Sequence, residues 1–229
     1  MDKIEKVRSI SLWVFIIPFI ALNACLILVT KFHGLFPNQE HIIHNTIPYI
    51  DGQVSISRTA RVFPTYLIFK PAMFLTSYLL IKYWLYTKEI ILFFNKNNKN
   101  IKYIMFFGIG SAILLTLHSV FLGIKFDNEL YKLFRKAVML FFIIFEIVAQ
   151  AYLVMTYYSF KNHLLKFINQ NFLKMKLMLV LILVLVALIS IPIVTMPGNK
   201  FLKHALEWNY FIGVISFYLL TFFMWKNKN

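Results

Sequence analysis

The sequence has few charged side chains and very few acidic ones. Charged residues make up 14% of the 229 residues, and only 9 residues are Asp or Glu, whereas a soluble domain carries about 25% charged residues. Hydrophobic residues account for 60% of the chain, and the mean hydropathy is +0.71. This composition excludes a disordered chain, a coiled coil and an ordinary soluble enzyme, and it indicates an integral membrane protein.

Cysteine, glycine and proline are also scarce. A single Cys excludes an intramolecular disulfide and a cysteine-based metal cluster. Seven Gly and seven Pro exclude a collagen-like or low-complexity chain. The sequence has no Gly-rich phosphate loop, nucleophile elbow or metalloprotease helix motif. We therefore expect no metal site and no cofactor.

Positive charge is abundant, since 24 Lys and Arg against 9 acidic residues give a net charge of +15. In a soluble protein this excess would favour nucleic acid as a partner. Here the basic residues lie in short gaps between apolar runs, which predicts a place at the membrane surface and no nucleic-acid partner. The partners that we expect are membrane lipid and a second membrane protein.

Six apolar runs have the length of about 20 residues that a helix needs to cross the hydrocarbon core. The sequence therefore predicts an all-α polytopic membrane protein, in which a bundle of six transmembrane helices forms a single domain over residues 1–229. The first run is longer than the 7–15 apolar residues of a signal peptide, so we expect it to remain as the first helix. The six runs are residues 9–30, about 64–87, 103–124, 137–160, 177–196 and about 207–225.

The basic residues between the runs predict an orientation. They are more numerous on the side that holds both termini, where Lys174 and Lys176 precede the fifth run and the chain begins with Lys3, Lys6 and Arg8. We therefore predict that both termini are cytoplasmic. Residues 31–63 then form a long outer loop.

Four ionisable side chains fall within the predicted helices: Lys70, His118, Glu146 and Glu207. Such side chains usually face the bundle or a cavity. All four belong to the outer half or the midplane, which predicts a polar pocket that opens outward. Glu146 and Gln150 are four residues apart and share one helix face, so Gln150 joins the predicted pocket.

A simpler interpretation exists for each of these residues. Glu146 and Gln150 could only hydrogen-bond a neighbouring helix, and His118 could be a packed histidine. Lys70 directly precedes Pro71, so it could mark a helix start or kink from which its ammonium reaches the interface. A functional pocket would leave Glu146 open to water or a headgroup, whereas a structural contact would bury it.

The loop of residues 31–63 carries three further candidates, Asp51, Arg58 and Arg61. We predict that all three contact lipid headgroups at the outer interface. The guanidinium groups of Arg58 and Arg61 could bind phosphate through two parallel hydrogen bonds, which lysine cannot reproduce. An acidic group near the sixth run is the alternative partner for the two arginines.

Three stretches of the sequence carry a family resemblance. Residues 47–61 read IPYIDGQVSISRTAR, residues 69–84 contain an early Pro and a late Tyr-Trp pair, and residues 204–211 contain the pair Glu207–Trp208. Together they resemble the Frag–DRAM–Sfk family of six-pass membrane proteins. The chain departs from the family pattern in having no histidine between the third and fourth runs and in the charge of Asp51.

The resemblance implies lipid handling or lipid remodelling. The family includes the post-GPI-attachment factor, a yeast cell-wall protein that exchanges GPI lipid for ceramide, and autophagy modulators. The first alternative is a membrane-embedded lipid hydrolase or acyl transferase that uses Glu146 and His118 as base and acid. The second is a small-molecule transporter, against which the lack of an internal repeat counts.

Overall fold

The computed structural model of the protein describes residues 2–38, 42–124, 128–196 and 198–226. Within these ranges the regular secondary structure is helical, and one antiparallel bridge joins Ile168 to Trp225. Six α-helices are long and three are short, and a 3-10 helix lies at His33–Leu35. The long helices are α1 (Asp2–Lys31), α4 (Tyr66–Phe94), α5 (Asn100–Phe121), α6 (Glu129–Ser159), α8 (Gln170–Thr195) and α9 (Lys200–Met224), and the short ones are α2 (Pro48–Asp51), α3 (Ile56–Ala60) and α7 (Lys161–Leu164).

Five of the long helices, all but α4, are long and apolar enough to cross a membrane. Only 22–39% of each apolar stretch is buried inside the protein, so most of the apolar surface of these helices points outward, as contact with lipid requires. The prediction of an all-α, multi-pass membrane protein is confirmed.

Several helices begin before the apolar runs that predicted them. α6 begins eight residues before the predicted run, where the side chain of Asn128 accepts a hydrogen bond from the amide of Leu130. α8 begins seven residues early, where Asn169 caps the amide of Asn171. Bilayer thickness sets the length of an apolar run, whereas capping side chains set where a helix begins.

The long helices form a closed ring. Contacts run from α1 to α4, then in chain order through α5, α6, α8 and α9, and α9 returns to α1. Large aromatic side chains, including Trp84 and Trp208, fill the interior. Gly108 allows close approach of α4 and α5, because a Cβ atom there would lie 2.5 Å from the indole of Trp84.

The connection between α1 and α4 folds against the start of α9. Gly52 has a positive φ of 60°, and a Cβ atom on it would lie 1.8 Å from the carbonyl oxygen of Phe201. The indole Nε1 of Trp208 donates to the carbonyl of Val54 at 2.8 Å, and its ring packs edge-on against Tyr49. Residues 47–61 and residues 204–211, two of the three stretches that carry the family resemblance, are therefore in contact.

Candidate functional site

Glu146 lies at the centre of a hydrogen-bonded cluster in the interior of the bundle. Its side chain is 1% exposed. The hydroxyl of Ser111 on α5 donates to Oε2 at 2.6 Å, and the amide Nε2 of Gln150 donates to Oε1 at 3.0 Å. The hydroxyl of Tyr218 on α9 also donates to Oε1. One carboxyl group thus joins α5, α6 and α9.

The same geometry fits two protonation states of Glu146. The oxygen of Ser111 also lies 2.8 Å from the carbonyl of Gly108, yet a hydroxyl has a single proton to donate. When Ser111 donates to Glu146, the carboxylate receives three donors. When Ser111 donates to Gly108, a protonated Glu146 can donate to Ser111 instead.

Lys176 is a second buried ionisable residue, on α8, with 0% exposure. Its Nζ donates to the hydroxyl of Thr221 at 2.7 Å and lies 3.9 Å from the ring centroid of Phe217. Among the described residues, no carboxylate lies within ion-pair distance of this amine. The aromatic face is therefore its principal electrostatic partner.

Tyr83 contacts one partner of each buried ionisable residue, Tyr218 beside Glu146 and Thr221 beside Lys176. Its ring packs edge-on against that of Tyr218, with centroids 4.9 Å apart, and its hydroxyl lies 3.5 Å from that of Thr221. These hydrogen-bonded side chains come from α4, α5, α6, α8 and α9, and we call them the interior polar cluster. The cluster consists of Tyr83, Ser111, Glu146, Gln150, Lys176, Tyr218 and Thr221.

The structure does not bring the predicted pocket residues together. His118 lies seven residues beyond Ser111 on α5, about 10 Å farther along the helix axis, and its charged neighbour is Arg135. Lys70 reaches the carbonyl of Val120 at 3.4 Å. The carboxyl group of Glu207 lies near the backbone amides of Ile56 and Ser57 at the start of α3.

Burial of Glu146 therefore corrects the prediction of an open polar pocket. The contact between Glu146 and Gln150 is present, but both side chains are closed off from solvent. Because Glu146 and His118 sit at different depths, the structure does not support an acid–base pair made of these two residues.

Three arginines lie together at the end of the bundle where α5 ends. The backbone of Arg61 packs on Gly123, whose Cβ position would be 3.2 Å from the carbonyl oxygen of Arg61. The guanidinium of Arg135 lies 3.5 Å from the carbonyl of Ile124. Burial lowers the pKa of Arg61, and the charges of Arg135 and Arg58 lower it further. We call Arg58, Arg61 and Arg135 the basic rim.

Asp51 has a local structural role, and the predicted headgroup contact stays a prediction. Its carboxylate accepts hydrogen bonds from the hydroxyl of Thr46 at 2.8 Å and from the amides of Ile47 at 2.8 Å and Gln53 at 3.1 Å. Burial raises the pKa of Asp51, but these hydrogen bonds outweigh that effect and the pKa is lowered. The carboxylate closes the turn around α2.

Sequence reasoning missed Lys176, Tyr218 and Arg135. Lys176 directly precedes an apolar run and therefore looked like a loop residue. One feature of the sequence could have indicated a polar interior at the last helix: Tyr218 and Thr221 are three residues apart, which places two hydroxyls on one face of that helix.

Comparison of the chain with protein-family models, with curated proteins and with solved structures found no match. The resemblance to the Frag–DRAM–Sfk family therefore depends on the three motifs quoted above.

Proposed function

We propose that this multi-pass membrane protein handles membrane lipid and binds an anionic lipid headgroup at the basic rim. The observation that carries the proposal is the meeting of Arg61 and Arg135 at residues 123–124, from two distant parts of the chain. Like charges at close range repel, and a bound phosphate would relieve that repulsion. Guanidinium groups suit this role because they bind phosphate through paired hydrogen bonds.

The surroundings of the basic rim support a lipid as the source of the phosphate. Large apolar side chains beside the rim are exposed, among them Phe63 at 48%, Leu130 at 74% and Leu133 at 64%. Exposed apolar groups next to basic ones are typical of a surface at the membrane interface. The family resemblance, which implies lipid handling, points to the same class of ligand.

We also propose that α4 is a sixth membrane-spanning helix. It has 29 residues, a length of about 43 Å, and it packs between α1 and α5. Its basic side chains can reach the interface, and Lys82 already lies over the ring of Tyr78 at 4.6 Å. An even number of crossings puts both termini on one side of the membrane.

Contacts near the two termini support this topology. Lys3 pairs with Glu89 at the end of α4, with 2.6 Å between Nζ and Oε2. The guanidinium of Arg8 lies 4.4 Å from the ring centroid of Phe222 near the end of α9. The basic N-terminus then lies in the cytoplasm, which puts the basic rim on the outer face.

A lipid-retention experiment tests the headgroup site. The protein is reconstituted with equal amounts of phosphatidylglycerol and phosphatidylcholine, purified in mild detergent, and assayed for bound lipid by native mass spectrometry. We expect Arg61→Ala to lose phosphatidylglycerol, and Arg61→Lys to lose nearly as much because a lysine cannot form the paired hydrogen bonds.

The matched control is Lys132→Ala, which removes a basic charge at the same end that already pairs with Glu129 at 2.7 Å. The control should keep its phosphatidylglycerol. Equal retention by the wild type and both Arg61 variants would contradict the proposed site.

A further inference from the structure

An apolar groove of about 370 Å³ runs between α5 and α6 on the outside of the bundle. Its walls include Ile113, Leu114 and Phe141, and its floor is formed where the ring of Phe145 lies against Gly110. A Cβ atom at Gly110 would lie 2.7 Å from that ring, so any side chain there would displace Phe145. The groove therefore depends on the glycine.

The groove begins below the basic rim and reaches the depth of one leaflet. Phe141 follows Arg135 by six residues, or about 9 Å along α6, and Phe145 follows it by ten residues, or about 15 Å. Half of the roughly 30 Å hydrocarbon core is also about 15 Å. The distance from the rim to the floor of the groove thus matches the length of an acyl chain within one leaflet.

The groove and the basic rim also involve the same two helices, α5 and α6. Arg135 belongs to α6, and Arg61 packs on the turn that follows α5. His118 lies one helical turn beyond Leu114 on the same side of α5, and it is near Arg135. The groove and the rim therefore lie along the same pair of helices, with the rim nearer the end of α5 and the start of α6.

We propose that the groove and the basic rim form one binding site for a single anionic phospholipid. The phosphate lies between Arg61 and Arg135, and one acyl chain fills the groove down to Gly110. This inference rests on the proposed headgroup site and adds the chain-binding part and the class of lipid. A phospholipid suits both surfaces because it carries its negative charge at the depth of the arginines and its apolar chain at the depth of the groove.

The experiment fills the groove without changing the charge. Ile113→Trp places a bulky ring in the groove, at a side chain that is 51% exposed, and Ile182→Trp on α8 is the matched control at 52% exposed. Lipid retention is measured as for Arg61. Displacing about two methylene groups from the groove predicts roughly tenfold weaker retention of phosphatidylglycerol for Ile113→Trp, with no change for Ile182→Trp.

The outcomes separate this inference from the proposed function. Loss of phosphatidylglycerol in both Ile113→Trp and Arg61→Ala, with an unchanged melting temperature for Ile113→Trp, supports the two-part site. Loss in Arg61→Ala alone overturns the groove and leaves the headgroup site intact. Loss in neither variant overturns both. If Ile113→Trp reduces phosphatidylcholine as much as phosphatidylglycerol, the groove is not coupled to the rim and the two-part site is wrong.

Discussion

Replacement of Glu146 by leucine should destabilise the bundle, because its carboxyl joins three helices. Leucine removes an acceptor of hydrogen bonds from Ser111, Gln150 and Tyr218. In a membrane protein one such bond contributes about 0.6 kcal/mol on average, which gives roughly 2 kcal/mol for three. Ser111 and Gln150 keep backbone acceptors at Gly108 and Val214, so the unpaired hydroxyl of Tyr218 should account for much of the loss.

Glu146→Gln should cost less than Glu146→Leu. The amide oxygen of the new side chain can still accept from Tyr218 and Gln150, and its NH₂ group can donate to the hydroxyl of Ser111, which has two acceptor lone pairs. We expect a loss below about 1 kcal/mol for this variant. The order of stability is therefore wild type, Glu146→Gln, Glu146→Leu.

The assay is unfolding of the purified protein in mixed micelles with increasing denaturing detergent, followed by tryptophan fluorescence. Glu129→Gln is the control, because its exposed ion pair with Lys132 should contribute little. A Glu146→Leu variant as stable as the wild type would refute the reasoning that this carboxyl holds the helices together.

Two further predictions concern the buried amine and the topology. Lys176→Met should leave the free energy of unfolding unchanged or raise it by about 1 kcal/mol, because a buried amine with no carboxylate partner among the described residues is replaced by an apolar side chain of similar volume. A loss above about 2 kcal/mol, relative to the exposed Lys174→Met, would contradict this. In a Cys25→Ala background, a membrane-impermeant thiol reagent on intact cells should label Asn45→Cys and not Asn98→Cys, with both labelled after permeabilisation. The reverse pattern would invert the proposed orientation.

Local properties of the sequence were sufficient to predict the class of protein. An apolar run of about 20 residues reflects the thickness of the hydrocarbon core, and that requirement applies to each helix separately. The placement of Glu146 and Gln150 on one helix face was predictable for a similar reason, since residues four apart on a helix are neighbours. In the structure the amide Nε2 of Gln150 donates to Oε1 of Glu146 at 3.0 Å.

Only the tertiary structure decided what surrounds Glu146. Tyr218 lies 72 residues from it in sequence. No single segment specifies how the helices pack, and it is this packing that lets Tyr218 on α9 reach Glu146 on α6 in the interior of the ring. Lys176 entered the interior because capping by Asn169 extends α8 beyond its apolar run, which turns an apparent loop residue into a helical one. Arg61 and Arg135 come together for a different reason, since both chain segments pack on the turn that follows α5. Spacing along a helix specifies which side chains share a face, whereas the partner of that face depends on how the helices pack around one another.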